Sequence, residues 1–143
     1  MNSAKSTWAV PRSAALLAGA AAIFFAVQSH AGAPRYTDLL LSDTKGGSAK
    51  QVFTPVTPKI FLSSKLVDVP TGAKLTGTWI AEKTKAAPPN YRIDSVDLTV
   101  GPLVNQANFS LSKPNAGWPA GDYRVELYIN GALASTVRFK VSP

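Results

Sequence analysis

The sequence contains no cysteine, one histidine (His30) and one methionine (Met1). Both fall within the first 31 residues, so the chain from Gly32 onward has none of the three. Without cysteine and histidine, that part lacks the usual ligands for zinc, copper or iron. It also lacks the base of a Ser–His–acid triad. A G-x-S-x-G elbow, a Gly-rich phosphate loop and a D-x-[DN]-x-[DN]-G calcium loop are all absent. No two basic residues are adjacent, which argues against a nucleic-acid arm.

Two weak catalytic pairings remain. Ser64 stands beside Lys65, but neighbours on a strand point to opposite faces. Asp94 and Asp97, three residues apart, are separated in the same way. The expectation is a protein with no catalytic residues, no cofactor and no metal.

Acid is missing from the N-terminal end, where no Asp or Glu precedes Asp38. Lys5 and Arg12 are followed by an uncharged apolar run, Ala14 to Val27. A positive region followed by a short apolar run is the pattern of a secretory signal peptide. The run is shorter than the ~20 residues a spanning helix needs. Small residues at Ser29 and Ala31 allow cleavage after Ala31, and Ala31-Gly32-Ala33 offers a second site after Ala33. The absence of a following cysteine excludes a lipid anchor, and the absence of paired arginines points to the general export route. Residues 1–31 are therefore expected to be removed, leaving an exported protein, periplasmic or extracellular, with no stable membrane anchor. Mass measurement of the envelope fraction should find a chain starting at Gly32 or Pro34. A full-length species retained in membranes would contradict this.

Beyond residue 31 there are 13 basic and eight acidic residues, spread singly from Arg35 to Lys140. Such thin positive charge reads as a solvated surface, or as attraction to anionic glycans or lipid headgroups. About 112 residues suffice for one domain with a hydrophobic core and no disulfides.

Ten of the eleven prolines and nine of the ten glycines punctuate this region, leaving no room for a long helix. Between them lie short runs of β-branched, aliphatic and aromatic residues. The expected strands are Tyr36 to Asp43, Ile60 to Val67, Leu75 to Glu82, Tyr91 to Val100, Ala107 to Ser112, Asp122 to Tyr128 and Ala132 to Val141. Val52 to Pro58 is extended, and its prolines confine it to an edge. Residues 32–50 read as an N-terminal strand and Gly-rich turn, and 51–143 as the main body.

The last pair predicts its own register. A two-residue Asn130-Gly131 turn pairs 129 with 132 and sets the apolar faces of the two strands against each other. A three-residue loop with Gly131 as a bulge pairs 127 with 133 and 123 with 137, so that the faces agree. The longer loop is the expectation.

About seven strands, with Trp79 on a middle one, predict an all-β, two-sheet antiparallel sandwich. The stretch Gly117-Trp118-Pro119-Ala120-Gly121-Asp122-Tyr123-Arg124-Val125, with Phe139-Lys140-Val141, resembles the end of bacterial secreted immunoglobulin-like or fibronectin-III-like domains. In these a P-x-G-x-Y-x-V strand leads into a hairpin and a terminal F-x-V strand. The resemblance implies one immunoglobulin-like domain with Tyr123 as a corner tyrosine. It implies a spacer or binding role and carries no catalytic residues.

Trp79 and Tyr123 read as core. Trp118, in a Gly/Pro turn, either packs over the end of the sandwich or presents its ring outward. Tyr128 lies on the outward face with Arg124 and Glu126. Trp118, Tyr128 and Arg124 are the candidate partner contacts. The functional expectation is a non-catalytic, exported accessory module of the bacterial cell envelope. Its partner would be an envelope protein or an anionic surface polysaccharide, with no nucleic acid. The alternative is a structural subunit that assembles by strand addition through Tyr36 to Asp43.

Overall fold

A computed structural model describes residues 32–143; the signal-peptide reading lies outside the described residues. Eight strands follow in order: β1 (Arg35–Ser42), β2 (Val52–Phe53), β3 (Lys59–Val67), β4 (Lys74–Thr84), β5 (Tyr91–Thr99), β6 (Gln106–Ser112), β7 (Gly121–Ile129) and β8 (Ala132–Val141). There is no helix among the described residues. One sheet has the order β1-β3-β6 and the other β2-β8-β7-β4-β5. β1, β3 and β6 take the places of immunoglobulin strands A, B and E, while β8, β7, β4 and β5 take those of G, F, C and C′. The described residues therefore form an all-β, immunoglobulin-like two-sheet sandwich. β2 is only two residues long and pairs parallel to β8; every other pairing is antiparallel.

Alternation explains the two faces. On β3, Ile60, Leu62, Ser64 and Leu66 are buried, and on β7 Tyr123, Val125, Leu127 and Ile129 are buried. Tyr36 and Leu41 of β1 join the same core, so the N-terminal strand packs within its own body, Pro34–Pro143. Both residues can point inward because a bulge between Thr37 and Leu40 adds one residue, with Asp38 at φ 51°. Gly77 faces the opposite sheet, where Phe109 lies so close that a Cβ would meet its ring at 2.7 Å.

Aromatic side chains fill one end of the core. The rings of Tyr123 and Phe139 stack 5.0 Å apart, Phe53 and Trp79 meet Phe139 edge-on, and Trp118 meets Tyr123 edge-on. The Tyr123 hydroxyl donates to the Pro119 carbonyl four residues upstream, the bond of a tyrosine corner. The Tyr36 hydroxyl donates to the Tyr128 carbonyl at 2.8 Å.

Burial pushes the phenols of Tyr36 and Tyr123 up to about 12. A raised folded pKa means stability that is complete below the ordinary value of ~10 and is lost as pH rises toward 12. Alkaline titration should therefore show these two tyrosines ionising together with unfolding. Reversible ionisation of Tyr36 and Tyr123 at ~10 with no unfolding would contradict it.

The β7–β8 hairpin corrects the expected register. Its turn has two residues, Asn130 (φ 50°) and Gly131 (φ 86°), the type I′ geometry that matches strand twist. Ile129 pairs with Ala132 and Tyr128 with Leu133. A bulge then adds Ala134, so that Leu127 pairs with Ser135, Val125 with Val137 and Tyr123 with Phe139. The extra residue that reconciles the two faces sits in the strand rather than in the loop. Leu133, before the bulge, is consequently 56% exposed instead of joining the apolar face.

Candidate functional site

Trp118, Tyr128 and Arg124 do not form one surface. Trp118 is 2% exposed, its indole Nε1 donates 2.8 Å to the Thr57 carbonyl, and its backbone N–H bonds to Pro55. The ring closes the end of the sandwich, so it is not available as an exposed contact. The Gly/Pro turn left both placements open. The satisfied indole and its edge-on contact with Tyr123 show why packing prevails.

Arg124 and Tyr128 do come together, on the outer face of the five-stranded sheet. Alternation along β7 puts Arg124, Glu126 and Tyr128 on that side. Arg124 donates through Nε to Glu126 at 2.9 Å, and through one terminal nitrogen to Glu82 at 3.1 Å and Asn90 at 2.8 Å. The Tyr128 hydroxyl donates to the other oxygen of Glu126 at 2.7 Å. Arg124 lies directly across from Arg138 on β8, a like-charge pairing that would repel. Glu82 offsets it by accepting from both guanidiniums, the second at 3.3 Å.

Beneath this network Ile80 faces outward yet is 7% exposed. Its cross-strand partners are Arg124 on β7 and Arg92 on β5, whose apolar stems suit them to cover it. Sequence reading finds Glu126 beside Arg124 through alternation. It misses Glu82, Asn90 and Arg138, which reach the site only through pairings across three strands and a loop.

The hydrogen bond from Tyr128, and then the guanidinium of Arg124, hold the Glu126 carboxyl below the usual range. The same bond, by favouring the protonated phenol, raises the Tyr128 hydroxyl. A depressed carboxylate contributes stability above its ordinary pKa of ~4.3 and loses it as pH falls through the folded value. Tyr128→Phe should therefore lower the urea midpoint at pH 7, with the gap from the parent closing as pH approaches 3. An unchanged gap at both pH values would contradict the assignment.

The two catalytic pairings rejected on sequence are also accounted for. Ser64 is buried and donates to the Thr37 and Lys65 carbonyls, while Lys65 points away toward Asp38 at 3.5 Å. Asp97 accepts from Thr76, and Asp94 from the backbone N–H of Ser95. No group of three or more His, Cys, Asp or Glu side chains among the described residues is placed to hold a metal ion.

No protein-family model matches the sequence, and a comparison with curated proteins finds no match. Among solved structures the chain is similar to an immunoglobulin-like protein of Pseudomonas aeruginosa, with 13% identity and a TM-score of 0.48, over 78% of this chain and 93% of that one. It is similar to part of an alkylpurine DNA glycosylase of Pseudomonas fluorescens bound to abasic-site DNA, at 13% identity and TM-score 0.49. A β-D-glucoside glucohydrolase of Trichoderma reesei matches at 15% identity and TM-score 0.39. This chain covers 77% of its own length in both of these matches, but spans only 30% of the glycosylase and 19% of the glucohydrolase.

Proposed function

We propose that this chain is a non-catalytic, exported binding module of the bacterial cell envelope, periplasmic or extracellular. It would hold an envelope protein or an anionic surface glycan against the outer face of its five-stranded sheet. One observation carries this reading. Arg124, Glu126, Tyr128 and Glu82 are locked together on a face that no described strand covers. Arginine and tyrosine supply much of the energy of protein contacts. A network already held in place loses little conformational freedom on binding.

The test is a photoreactive residue in place of Thr136, which pairs with Glu126 on this face. In intact cells it should give one discrete adduct that disappears in the Arg124→Ala background. No adduct from Thr136, with adducts from the same probe on β6, would contradict the reading.

Assembly by strand addition is the second reading, and the structure changes its terms. The expected donor, Tyr36 to Asp43, is seated in its own sheet with Tyr36 and Leu41 buried, so releasing it would open the core. The observation that favours strand addition is instead an acceptor edge. β2 covers β8 only at Lys140 and Val141, leaving Ala132 to Arg138 without an outer strand among the described residues. Light scattering after size exclusion separates the two readings: a monomer supports the module, and a ladder of sizes supports strand addition.

A further inference from the structure

The other outer face has a different chemistry. On β3, alternation sends Lys59, Phe61, Ser63 and Lys65 away from the core. Phe61 pairs with Ser110 on β6 and Ser42 on β1, and Ser63 with Asn108 and Leu40. Phe61, Ser63, Asn108, Ser110, Leu40 and Lys45 line a cavity of about 180 Å³ on this face.

Its wall is built rather than loose. The loop after β1 is tied by the Ser42 hydroxyl to the Thr44 carbonyl, by Gly47 N–H to Thr44, by Lys50 N–H to Leu41, and by Lys50 Nζ to Asp43. Lys45 and Gly46 lie in this loop and line the cavity.

We infer that this cavity is a saccharide site and that its ligand is an acidic sugar, one residue of a uronate-type polysaccharide. Three features support that chemistry. Phe61 gives one flat apolar surface against which the C–H face of a sugar ring can lie. Ser63, Asn108 and Ser110 supply hydroxyl and amide groups, none of which is used in a side-chain hydrogen bond among the described residues. Their combined donors and acceptors match ring hydroxyls, which both give and take hydrogen bonds. The volume falls below the roughly 300–1,000 Å³ of drug-sized pockets, which suits a single ring.

Charge selects the acid. Lys45 lines the cavity, and Lys59 Nζ sits 5.9 Å from the Phe61 ring centre. Neither has a carboxylate partner among the described residues, whereas Asp43 is taken by Lys50 and Asp38 by Lys65. On the five-stranded face, by contrast, Glu82 and Glu126 already compensate Arg124 and Arg138. Lys45 and Lys59 therefore leave positive charge beside the cavity for a ligand.

This inference rests on the binding-module reading but not on the Arg124 surface. Calorimetric titration of the chain compares a galacturonate hexamer with maltohexaose and with a glutamate hexapeptide. The galacturonate should bind at least about tenfold more tightly than either, a difference of about 1.4 kcal/mol. Phe61→Ala, and separately Lys45→Ala with Lys59→Ala, should each weaken it by about tenfold or more. These side chains project outward, so thermal unfolding should confirm that the variants fold. Lys85→Ala, an exposed lysine in the loop after β4, should leave galacturonate binding unchanged. Equal binding of the peptide would reduce the site to charge alone and overturn the inference, as would an inert Phe61→Ala. Loss of binding in Arg124→Ala would move the sugar to the other face, overturning the inference while sparing the module reading. Failure of galacturonate to bind, with the Thr136 adduct intact, would do the same.

Discussion

Replacing Tyr123 by alanine should cost roughly 3–5 kcal/mol, because a fully buried ring is removed from a packed aromatic cluster. The ring is 1% exposed, stacked on Phe139 and capped edge-on by Trp118. Neither neighbour can follow it into the gap without breaking its own contacts, which for Trp118 include the bond to Thr57. Tyr123→Phe keeps the ring and loses only the hydroxyl bond to Pro119, so it should cost roughly 0.5–1.5 kcal/mol, more if the carbonyl is left dry. Tyr128→Ala, on the opposite face, should cost well under half as much as Tyr123→Ala. Urea melts of the three variants are the measurement. Equal losses at Tyr123 and Tyr128 would mean that the facing of β7 is wrong.

Gly121→Ala should be nearly as damaging, at about 2–5 kcal/mol, for a backbone reason. Gly121 has φ 148°, a conformation other residues rarely adopt. It lies directly across from Thr84, and a Cβ there would stand 2.2 Å from the Lys83 carbonyl oxygen. That oxygen belongs to β4, so relief requires the end of the strand to move. Because the corner bond of Tyr123 begins two residues later, the loss should reach the aromatic cluster. Near-ultraviolet circular dichroism should weaken along with the lower urea midpoint. A variant with parent stability would show that the β4–β7 end is free to shift.

The strands were legible because each core-facing side chain comes from a short alternating run closed by Gly or Pro. Ile60 to Val67 and Tyr123 to Leu127 show this, with every second residue buried. The tyrosine corner was legible because it depends on local spacing. What escaped was bulge placement. Thr37 to Leu40, Trp79 to Ile80 and Leu127 to Tyr128 each break the pairing in mid-strand. A bulge is chosen by the fit of two distant strands, which one strand's own pattern does not reveal. The same limit applies to the polar surface. Arg124 and Tyr128 could be put on one face from β7 alone, but Glu82 and Arg138 are joined to them only by cross-strand register. Trp118 was ambiguous because no periodicity governs a loop; its burial is decided by Thr57, 61 residues away.

The tie between β2 and β8 has a consequence for synthesis. Val52 and Phe53 pair with Lys140 and Val141, and Tyr36 bonds to Tyr128 across 92 residues. β2 and the Tyr36 hydroxyl therefore wait for partners far along the chain, while β1 already has β3, and a ribosome adds roughly 5–20 residues per second. Pairings this remote close slowly, on the scale of milliseconds to seconds for sandwich topologies. A nascent chain that has not yet released β8 lacks that edge and the Phe139 that stacks on Tyr123. The aromatic cluster at that end of the sandwich cannot close until β8 has emerged. Deleting residues 139–143 should leave a chain that is cleared by proteases during synthesis rather than one that folds with a frayed end.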